Sequence, residues 1–205
     1  DEPAFKGYKP SHHSKPFPAT LCVSVNGEVV HGIPHKEKIL KEGDIVSIDL
    51  GIKHKGLFTD HAITVPVGKI SKADQDLLTI TNEALLAGIE AISSGTKVGD
   101  VGATIAAYAK KAKYGIIREL AGHGVGKYIH EDPFIPNYGV AGKGAMFVPG
   151  MVVAIEPMFT RGGEGIMVLS DGYTVKTVDN SKSAHFEHTV LITETGAEIL
   201  TLTRD

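Results

Sequence analysis

Two aspartates occupy positions in this sequence where apolar residues are expected. Asp49 lies in the apolar segment that runs from Ile45 to Ile52, and Asp60 follows eleven residues later, just before a second apolar segment. The two segments and the glycine-containing turn between them predict a β-hairpin that brings both carboxylates together. Carboxylates buried that close repel each other unless a proton or a cation lies between them. Taken alone, the hairpin is explained equally well by two structural aspartates.

Three further residues share this placement beside an apolar strand. His123 stands between two glycines, Glu156 ends the predicted strand 151–156, and Glu187 precedes an apolar segment. Oxygen ligands together with one imidazole suit hard or borderline divalent metals. Four carboxylates carry more negative charge than one divalent ion neutralises, so the set indicates two ions bridged by carboxylates. Two such ions deprotonate a bridging water, which is the usual nucleophile of a dinuclear hydrolase.

The segments that must position these residues predict a fold with both helices and strands. Apolar residues recur at helical spacing over 71–92 and 100–114, where Ser71 and Asp100 can cap the N-termini and Gly115 can end the second helix. The predicted strands are 20–25, 28–31, 116–120, 151–156, 173–178, 185–193 and 199–202. Asn26-Gly27 predicts a hairpin turn between the first two strands. Four prolines in residues 1–19 predict an extended, irregular arm.

Composition narrows the class of protein. The 205 residues are 42% hydrophobic and 22% charged, which is ordinary for one globular domain. A net charge of −3 gives no electrostatic argument for binding nucleic acid or an anionic membrane. Cys22 is the single cysteine, so no intrachain disulfide forms and a reducing compartment is expected. Neither a segment of transmembrane length nor a signal peptide is found, so we expect a cytoplasmic protein.

In combination, these motifs resemble the methionine aminopeptidases, most closely the bacterial-type (type I) members. The motifs follow the family's order and spacing from about Pro18 to Thr201, and they are Asn26 to Pro34, Gly43 to Asp49, Thr59-Asp60, Gly122 to Gly126 with His130-Glu131, Pro149 to Met158, and Glu187-His188-Thr189. The resemblance implies the α+β pita-bread fold, in which two similar halves each back part of a curved antiparallel sheet with helices. It also implies that residues 1–205 form a single catalytic domain.

The resemblance assigns roles to the residues singled out above. The dimetal ligands would be Asp49, Asp60, His123, Glu156 and Glu187. Asp60 and Glu187 would bridge the ions, and Glu156 would also carry a proton from the bridging water. Mn, Fe, Co, Zn and Ni all suit such ligands.

The same resemblance assigns the substrate contacts. His130 would contact the substrate carbonyl and stabilise the tetrahedral intermediate, and His31 would contact the amide nitrogen that is released. The methionine pocket would be lined by Phe17, Cys22, Ile129 and Tyr173. The expected substrates are nascent polypeptides with a small second residue. The enzyme is expected to act on their N-termini in the cytoplasm and at the ribosome.

The sequence departs from the family pattern in three respects. Tyr173 stands where a tryptophan is usual, and His61 follows Asp60 where a small hydroxyl residue is common. The family also has a helical segment before the point where this chain starts, so the helices of the first half are expected to be absent. The strand face formed by Val46, Ile48, Leu50 and Ile52 would then need cover from a retained N-terminal helical piece, a second copy or another partner.

Three alternatives remain open from the sequence. One is another peptidase of the same fold, of the prolidase or aminopeptidase P kind, although those usually carry a large N-terminal domain. Another is a non-catalytic pita-bread protein that binds partners, although such proteins typically lose metal ligands. The third is a structural β-domain whose acidic residues are incidental.

Overall fold

The structure is a computed structural model that describes residues 1–9 and 15–202. Its helices are α1 (Lys72–Glu90) and α2 (Val98–Ala112). The strands of the first half are β1 (Glu2–Pro3), β2 (Cys22–Val25), β3 (Glu28–Val30), β4 (Ile45–Asp49), β5 (Ile52–His54), β6 (Leu57–Thr59) and β7 (Ala62–Pro66). Those after the helices are β8 (Gly115–Ile116), β9 (Ala121–Gly124), β10 (Glu131–Pro136), β11 (Val152–Ile155), β12 (Met158–Thr160), β13 (Ile166–Val168), β14 (Val175–Thr177), β15 (Ser183–His185), β16 (His188–Ile192) and β17 (Ala197–Ile199).

The two helices pack together and cover one face of the strands. The main core cluster joins residues of α1 and α2, such as Leu85 and Ile105, to strand residues such as Val153, Phe159 and Val190. All described strand pairs are antiparallel, and the largest sheet has the order β10-β9-β11-β16-β17. This packing fixes the second half of the chain, where β9, β11 and β16 lie side by side.

Both predicted helices are present, but the ends of α2 differ from prediction. The Ser71 hydroxyl accepts a hydrogen bond from the Asp74 N–H at 3.1 Å, as an N-cap does. Lys97, not Asp100, is the N-cap of α2. Asp100 lies at the third helical position and accepts from the Lys97 N–H at 2.8 Å, which is the reciprocal half of a capping box. The helix ends at its C-cap Lys113, which adopts the left-handed conformation with φ of 62°, two residues before the predicted end at Gly115.

The hairpin predicted between β2 and β3 is wrong, although the turn is present. Asn26 adopts the left-handed conformation with φ of 55°. β2 pairs with β4 instead, and β3 pairs with β14. The Glu28 carboxylate accepts a hydrogen bond from the Val25 N–H at 2.9 Å, so a side chain satisfies the donor that a hairpin partner would otherwise take.

The predicted strand–turn–strand around the two aspartates is confirmed, with one addition. β4 pairs with β7, and Asp49 lies opposite Ala62. Between them, β5 and β6 form a smaller hairpin whose turn residues Lys55 and Gly56 both have positive φ. Asp60 lies in the connection between β6 and β7, so the paired strands return it to the end of β4.

Other predicted strands are shorter or divided. The predicted strand 185–193 is interrupted at Phe186 and Glu187, which separate β15 from β16, and the predicted strand 116–120 is reduced to β8. β9, β10, β12 and β13 were not predicted. The first two lie in a stretch rich in glycine and proline, which lowers strand propensity in the sequence.

The N-terminal arm packs against the body of the protein. β1 pairs with β5, and Phe5 and Phe17 are buried edge to face with ring centroids 6.5 Å apart. Residues 10–14 of the predicted arm lie outside the described residues. Neither helix in the described part of the chain combines the length and apolar character that crossing a bilayer requires.

An apolar strand face on β4, β5 and β7 is partly exposed. Ile48, Leu50, Ile52 and Ile63 are exposed by 36%, 37%, 38% and 39%. The opposite face holds Ser47 and Asp49, which are buried. The expectation that Val46 belongs to the exposed set is wrong, because its side chain is buried.

We predict that this apolar face drives association of the protein. Replacing Ile63 with Lys places a charge on the face, so Ile63→Lys is expected to reduce both dye binding and association measured by light scattering. Leu57→Lys is the control, because Leu57 is more exposed but lies in β6 near the small hairpin turn. A parent protein that is monomeric, carries no companion peptide by intact mass and binds no apolar dye would contradict the prediction.

Candidate functional site

Five predicted ligands line one cavity of about 410 Å³, and each lies at a strand end or in a short strand. Asp49 ends β4, Asp60 precedes β7, and His123 lies in β9. Glu156 directly follows β11, and Glu187 directly precedes β16. β9 and β11 are adjacent, and the Glu187 N–H donates to the carbonyl of Ala62 at 2.8 Å. These pairings bring residues from both halves of the chain to one place.

The closest group among these residues is Asp60, His123 and Glu187. One ligand atom from each lies within 4.8 Å of the others, a spacing that can hold a metal ion. Glu156 adjoins this group, because its Oε1 lies 3.5 Å from Nε2 of His123. The Nδ1 of His123 lies 2.9 Å from the carbonyl of Gly124. Donation to that carbonyl leaves Nε2 unprotonated and facing the carboxylates, as in metal-binding histidines.

Backbone clamps hold the acidic residues in place. The Asp60 N–H donates to the hydroxyl of Thr189 at 2.8 Å, and that hydroxyl donates to the carbonyl of Asp60 at 2.7 Å. This reciprocal pair links the end of the small hairpin to β16. The carboxylate of Asp60 is therefore positioned by a rigid connection between the two halves.

Burial makes the ionised form of these carboxylates costly. It raises the pKa of Asp49 to about 6 and that of Glu156 to about 7, and it raises those of Asp60 and Glu187 well above their usual range. Repulsion from the neighbouring carboxylates raises the pKa of Asp60 and Glu187 further. Oδ1 of Asp49 is buried and has no hydrogen-bond partner among the described residues. An orphaned carboxylate oxygen inside an acidic cluster fits a cation.

Aromatic side chains form the other end of the same cavity. Phe5, Tyr8, Phe17 and Tyr173 line it together with Cys22. Phe17 and Tyr173 meet edge to face with centroids 5.1 Å apart. The Tyr173 hydroxyl donates to the carbonyl of Tyr8 at 3.2 Å and also to that of Lys15, so it fastens the arm over the cavity.

Of the predicted pocket residues, Cys22 lines the cavity and Ile129 does not. Burial and the nearby Asp49 raise the pKa of the Cys22 thiol, which stays neutral and forms part of an apolar wall. Ile129 is buried in the same apolar cluster as Phe5 and Phe17, but it is not among the residues that line the cavity.

His31 and His130 lie where this cavity meets a second, more open groove of about 650 Å³. The rings of His130 and His123 are 4.4 Å apart, and Nδ1 of His130 lies 3.0 Å from the Tyr8 hydroxyl. Loss of water around the ring and the proximity of His123 and His31 lower the pKa of His130 to about 4. A neutral His130 that accepts from Tyr8 at Nδ1 carries its proton on Nε2.

The open groove is lined by acidic and aromatic residues beyond the two histidines. Glu119, Glu131 and Asp132 contribute carboxylates, and Tyr128 and Phe134 contribute exposed rings. The groove shares His31, His123, His130 and Glu156 with the aromatic cavity. The groove and the cavity therefore meet beside the acidic cluster.

Tyr8 and His185 are two residues of the site for which the sequence predicts no role. Tyr8 lies in the arm, where no pattern in the sequence marks it. His185 is two residues before Glu187, so strand alternation would have placed both on one face. The imidazole of His185 is buried, and its Nε2 lies 3.4 Å from Oε2 of Glu156. Burial lowers its pKa, although the charge of Asp49 acts in the opposite direction.

His61, which departs from the family pattern, contacts Glu187 and His188 but does not line the cavity. Its Nδ1 lies 2.5 Å from the carbonyl of Glu187, and its ring stacks on that of His188 with centroids 4.9 Å apart. His61 therefore supports the backbone that presents Glu187.

Comparisons with known proteins agree with this geometry. The sequence model of metallopeptidase family M24 matches residues 4–194. A methionine aminopeptidase of Aquifex aeolicus is 50% identical over 202 residues, which cover 98% of this chain and 78% of that protein. The crystal structure of the methionine aminopeptidase from Thermotoga maritima matches with a TM-score of 0.93 and 48% identity, covering 98% of this chain and 79% of that one.

A wider relationship is visible in the fold. The prolidase from Pyrococcus furiosus matches with a TM-score of 0.71 and 27% identity, covering 90% of this chain and 49% of that one. The predicted pita-bread fold, of the α+β class, is thereby confirmed. The chain belongs to metallopeptidase family M24, among its methionine aminopeptidases.

Proposed function

We propose that this chain removes the N-terminal methionine from polypeptides by metal-dependent hydrolysis. The observation that carries the proposal is the single cavity in which an aromatic wall faces a buried cluster of carboxylates and one imidazole. The aromatic end suits an unbranched, apolar thioether side chain. The acidic end suits the ions that such a hydrolysis uses. The substrates are nascent polypeptides in the cytoplasm, where new N-termini emerge from the ribosome.

We propose that two divalent ions bind the acidic cluster. Asp49, Asp60, His123, Glu156 and Glu187 would hold them, with Asp60 and Glu187 shared between the two. The raised pKa of these carboxyls and the orphaned oxygen of Asp49 support a site built for more than one positive charge. Mn, Fe, Co, Zn or Ni would suit the donor set. When bound, such ions position a water molecule and lower its pKa.

Side chains of the protein would bind the substrate, stabilise its carbonyl oxygen and transfer the proton. The wall that includes Phe17, Cys22 and Tyr173 would receive the methionine side chain and exclude water from it. The Nε2–H of His130 would donate to the substrate carbonyl, because Tyr8 occupies Nδ1. His31, at the junction of the cavity and the groove, would contact the amide nitrogen that leaves. Glu156 would pass a proton from the attacking water to that nitrogen.

Prolidase-type activity is the second candidate, because the fold is shared with a prolidase. The identity of 27% to that prolidase against 50% to a methionine aminopeptidase favours the first proposal. A binding protein without catalysis is disfavoured because five ligand-type side chains meet in one cavity.

We also propose that the exposed face of β4, β5 and β7 is covered by a companion polypeptide. A helical segment retained without a covalent link, or a second copy of the chain, would bury the exposed faces of Ile48, Leu50 and Ile63. Intact mass separates the two, because the first adds a foreign peptide mass and the second does not.

The activity predicts a defined substrate pattern. A Met-Ala-Ser peptide should lose methionine in the presence of Mn²⁺ or Co²⁺, and a chelator should stop the release. A Met-Lys-Ser peptide should react at least about tenfold more slowly, because the second residue would have to be small. Release of methionine is measured by chromatography. Comparable rates on the two peptides would contradict the size rule, and cleavage of an Xaa-Pro dipeptide alone would favour the prolidase alternative.

The metal proposal predicts the effect of removing one carboxylate charge. Asp49→Asn and Glu187→Gln should each lower bound metal and abolish methionine release, since an amide is a poorer ligand than a carboxylate. Elemental analysis of the purified variants measures the metal. Glu83→Gln is the control, because Glu83 is exposed on α1 away from the cavity. Normal turnover with two bound ions in either site variant would refute the proposed ligand set.

The proposed role of His130 predicts that its removal lowers turnover but leaves metal binding unchanged. His130→Ala should keep its metal and lose on the order of 10²–10³ in kcat, because one stabilising donor to the carbonyl is removed. His35→Ala, which changes an exposed histidine outside both cavities, should behave as the parent. If His130→Ala is purified without metal, His130 is a ligand and the assignment is wrong.

A further inference from the structure

His185 is a buried histidine with no hydrogen-bond partner at its ring. Its residue surface is 1% exposed, and neither Nδ1 nor Nε2 makes a hydrogen bond among the described residues. A buried polar group without a partner is costly, and such groups in native proteins call for an explanation. The ring faces the acidic cluster, since Nε2 lies 3.4 Å from Oε2 of Glu156.

The backbone of His185 is held firmly, so the ring is aimed by the fold. The His185 N–H donates to the hydroxyl of Thr64 at 2.8 Å, and the same hydroxyl donates to the carbonyl of His185 at 2.8 Å. The Ser47 hydroxyl completes this arrangement at 2.8 Å from that of Thr64. β4, β7 and β15 are thereby fastened at one point, beside the strand end that carries Asp49.

Glu156 lies between two imidazoles. Its Oε1 faces Nε2 of His123 at 3.5 Å, and its Oε2 faces Nε2 of His185 at 3.4 Å. His123 belongs to the close group with Asp60 and Glu187, whereas His185 does not. One oxygen of Glu156 is therefore directed toward the close group and the other toward His185.

We propose that His185 is a positioning residue whose Nε2–H, now 3.4 Å from Oε2 of Glu156 and not yet hydrogen-bonded, donates to that oxygen when a metal is bound and so presents Oε1 of Glu156 to the metal held with His123. The inference rests on the proposed metal site. It concerns a residue two positions before Glu187 that is outside the ligand set itself. Partners of this kind orient a ligand and raise its affinity for the ion.

The test compares His185→Leu, which removes the N–H, with His185→Gln, which keeps a donor of similar reach. Mn²⁺ is titrated into each chelator-treated protein, and binding is followed by calorimetry. His185→Leu should bind Mn²⁺ about 10- to 100-fold more weakly, and His185→Gln should stay within about threefold of the parent. The metal-free form of His185→Leu should unfold at the same temperature as the parent or higher, because an unpaired polar group has been removed.

Equal Mn²⁺ affinity of the parent and a folded His185→Leu would overturn this inference alone. A parent that binds no Mn²⁺ would overturn the proposed metal site instead. Loss of thermal stability in metal-free His185→Leu with unchanged affinity would indicate a purely structural role and would also overturn it.

A measurement on the parent protein keeps the inference testable if His185→Leu does not fold. In Zn²⁺-loaded protein labelled with ¹⁵N-histidine, NMR assigns the proton on each ring nitrogen. The inference requires the His185 proton on Nε2, in slow exchange with water. A proton on Nδ1, or a metal-bound Nε2, would contradict it.

Discussion

The repulsion among four buried carboxylates is the constraint on which this structure depends. Asp49, Asp60, Glu156 and Glu187 are gathered where little water reaches them, and burial raises the pKa of all four. Neighbouring carboxylates raise the pKa of Asp60 and Glu187 further, and the charge of Glu156 raises that of Asp49. Protons or cations must compensate, because burial of uncompensated charge would consume much of a domain's stability. Hydrogen bonds of two threonine hydroxyls hold these residues in place despite the repulsion. Thr189 bonds to the backbone of Asp60, and Thr64 bonds to the backbone of His185, so both halves of the chain are fastened around the cluster.

The cluster also divides the space around it into two parts with different chemistry. One side is a cavity with rings from the arm and from Tyr173, and the other is a more open groove with carboxylates at its edge. His31 and His130 mark the boundary. If a peptide bond lay at this boundary, the side chain of the residue before it would lie in the aromatic cavity and the rest of the peptide in the open groove. Under the proposed function, the bond that is cut would be the one at this boundary.

The sequence predicted this cluster because acidic residues within apolar strands are unfavourable unless a function retains them. It predicted α1 and α2 from helical periodicity, and the α+β pita-bread fold through the resemblance. It could not predict that β3 pairs with β14, because a local turn signal does not specify a distant partner. β9 was not predicted because its glycines have low strand propensity. The pocket residues were predicted from the family resemblance and not from their spacing. His185 carries only the weak signal of strand alternation, which places it on the face of Glu187, and its burial is known only from the structure.

The proposed pair of cations would lie at the centre of the carboxylate cluster. The most direct measurement is anomalous diffraction from crystals of the Mn²⁺-loaded protein, with data collected on both sides of the manganese absorption edge. The account predicts two peaks enclosed by the side chains of Asp49, Asp60, His123, Glu156 and Glu187. A single peak there, or no peak within bonding distance of Asp49 and Glu187, would contradict it.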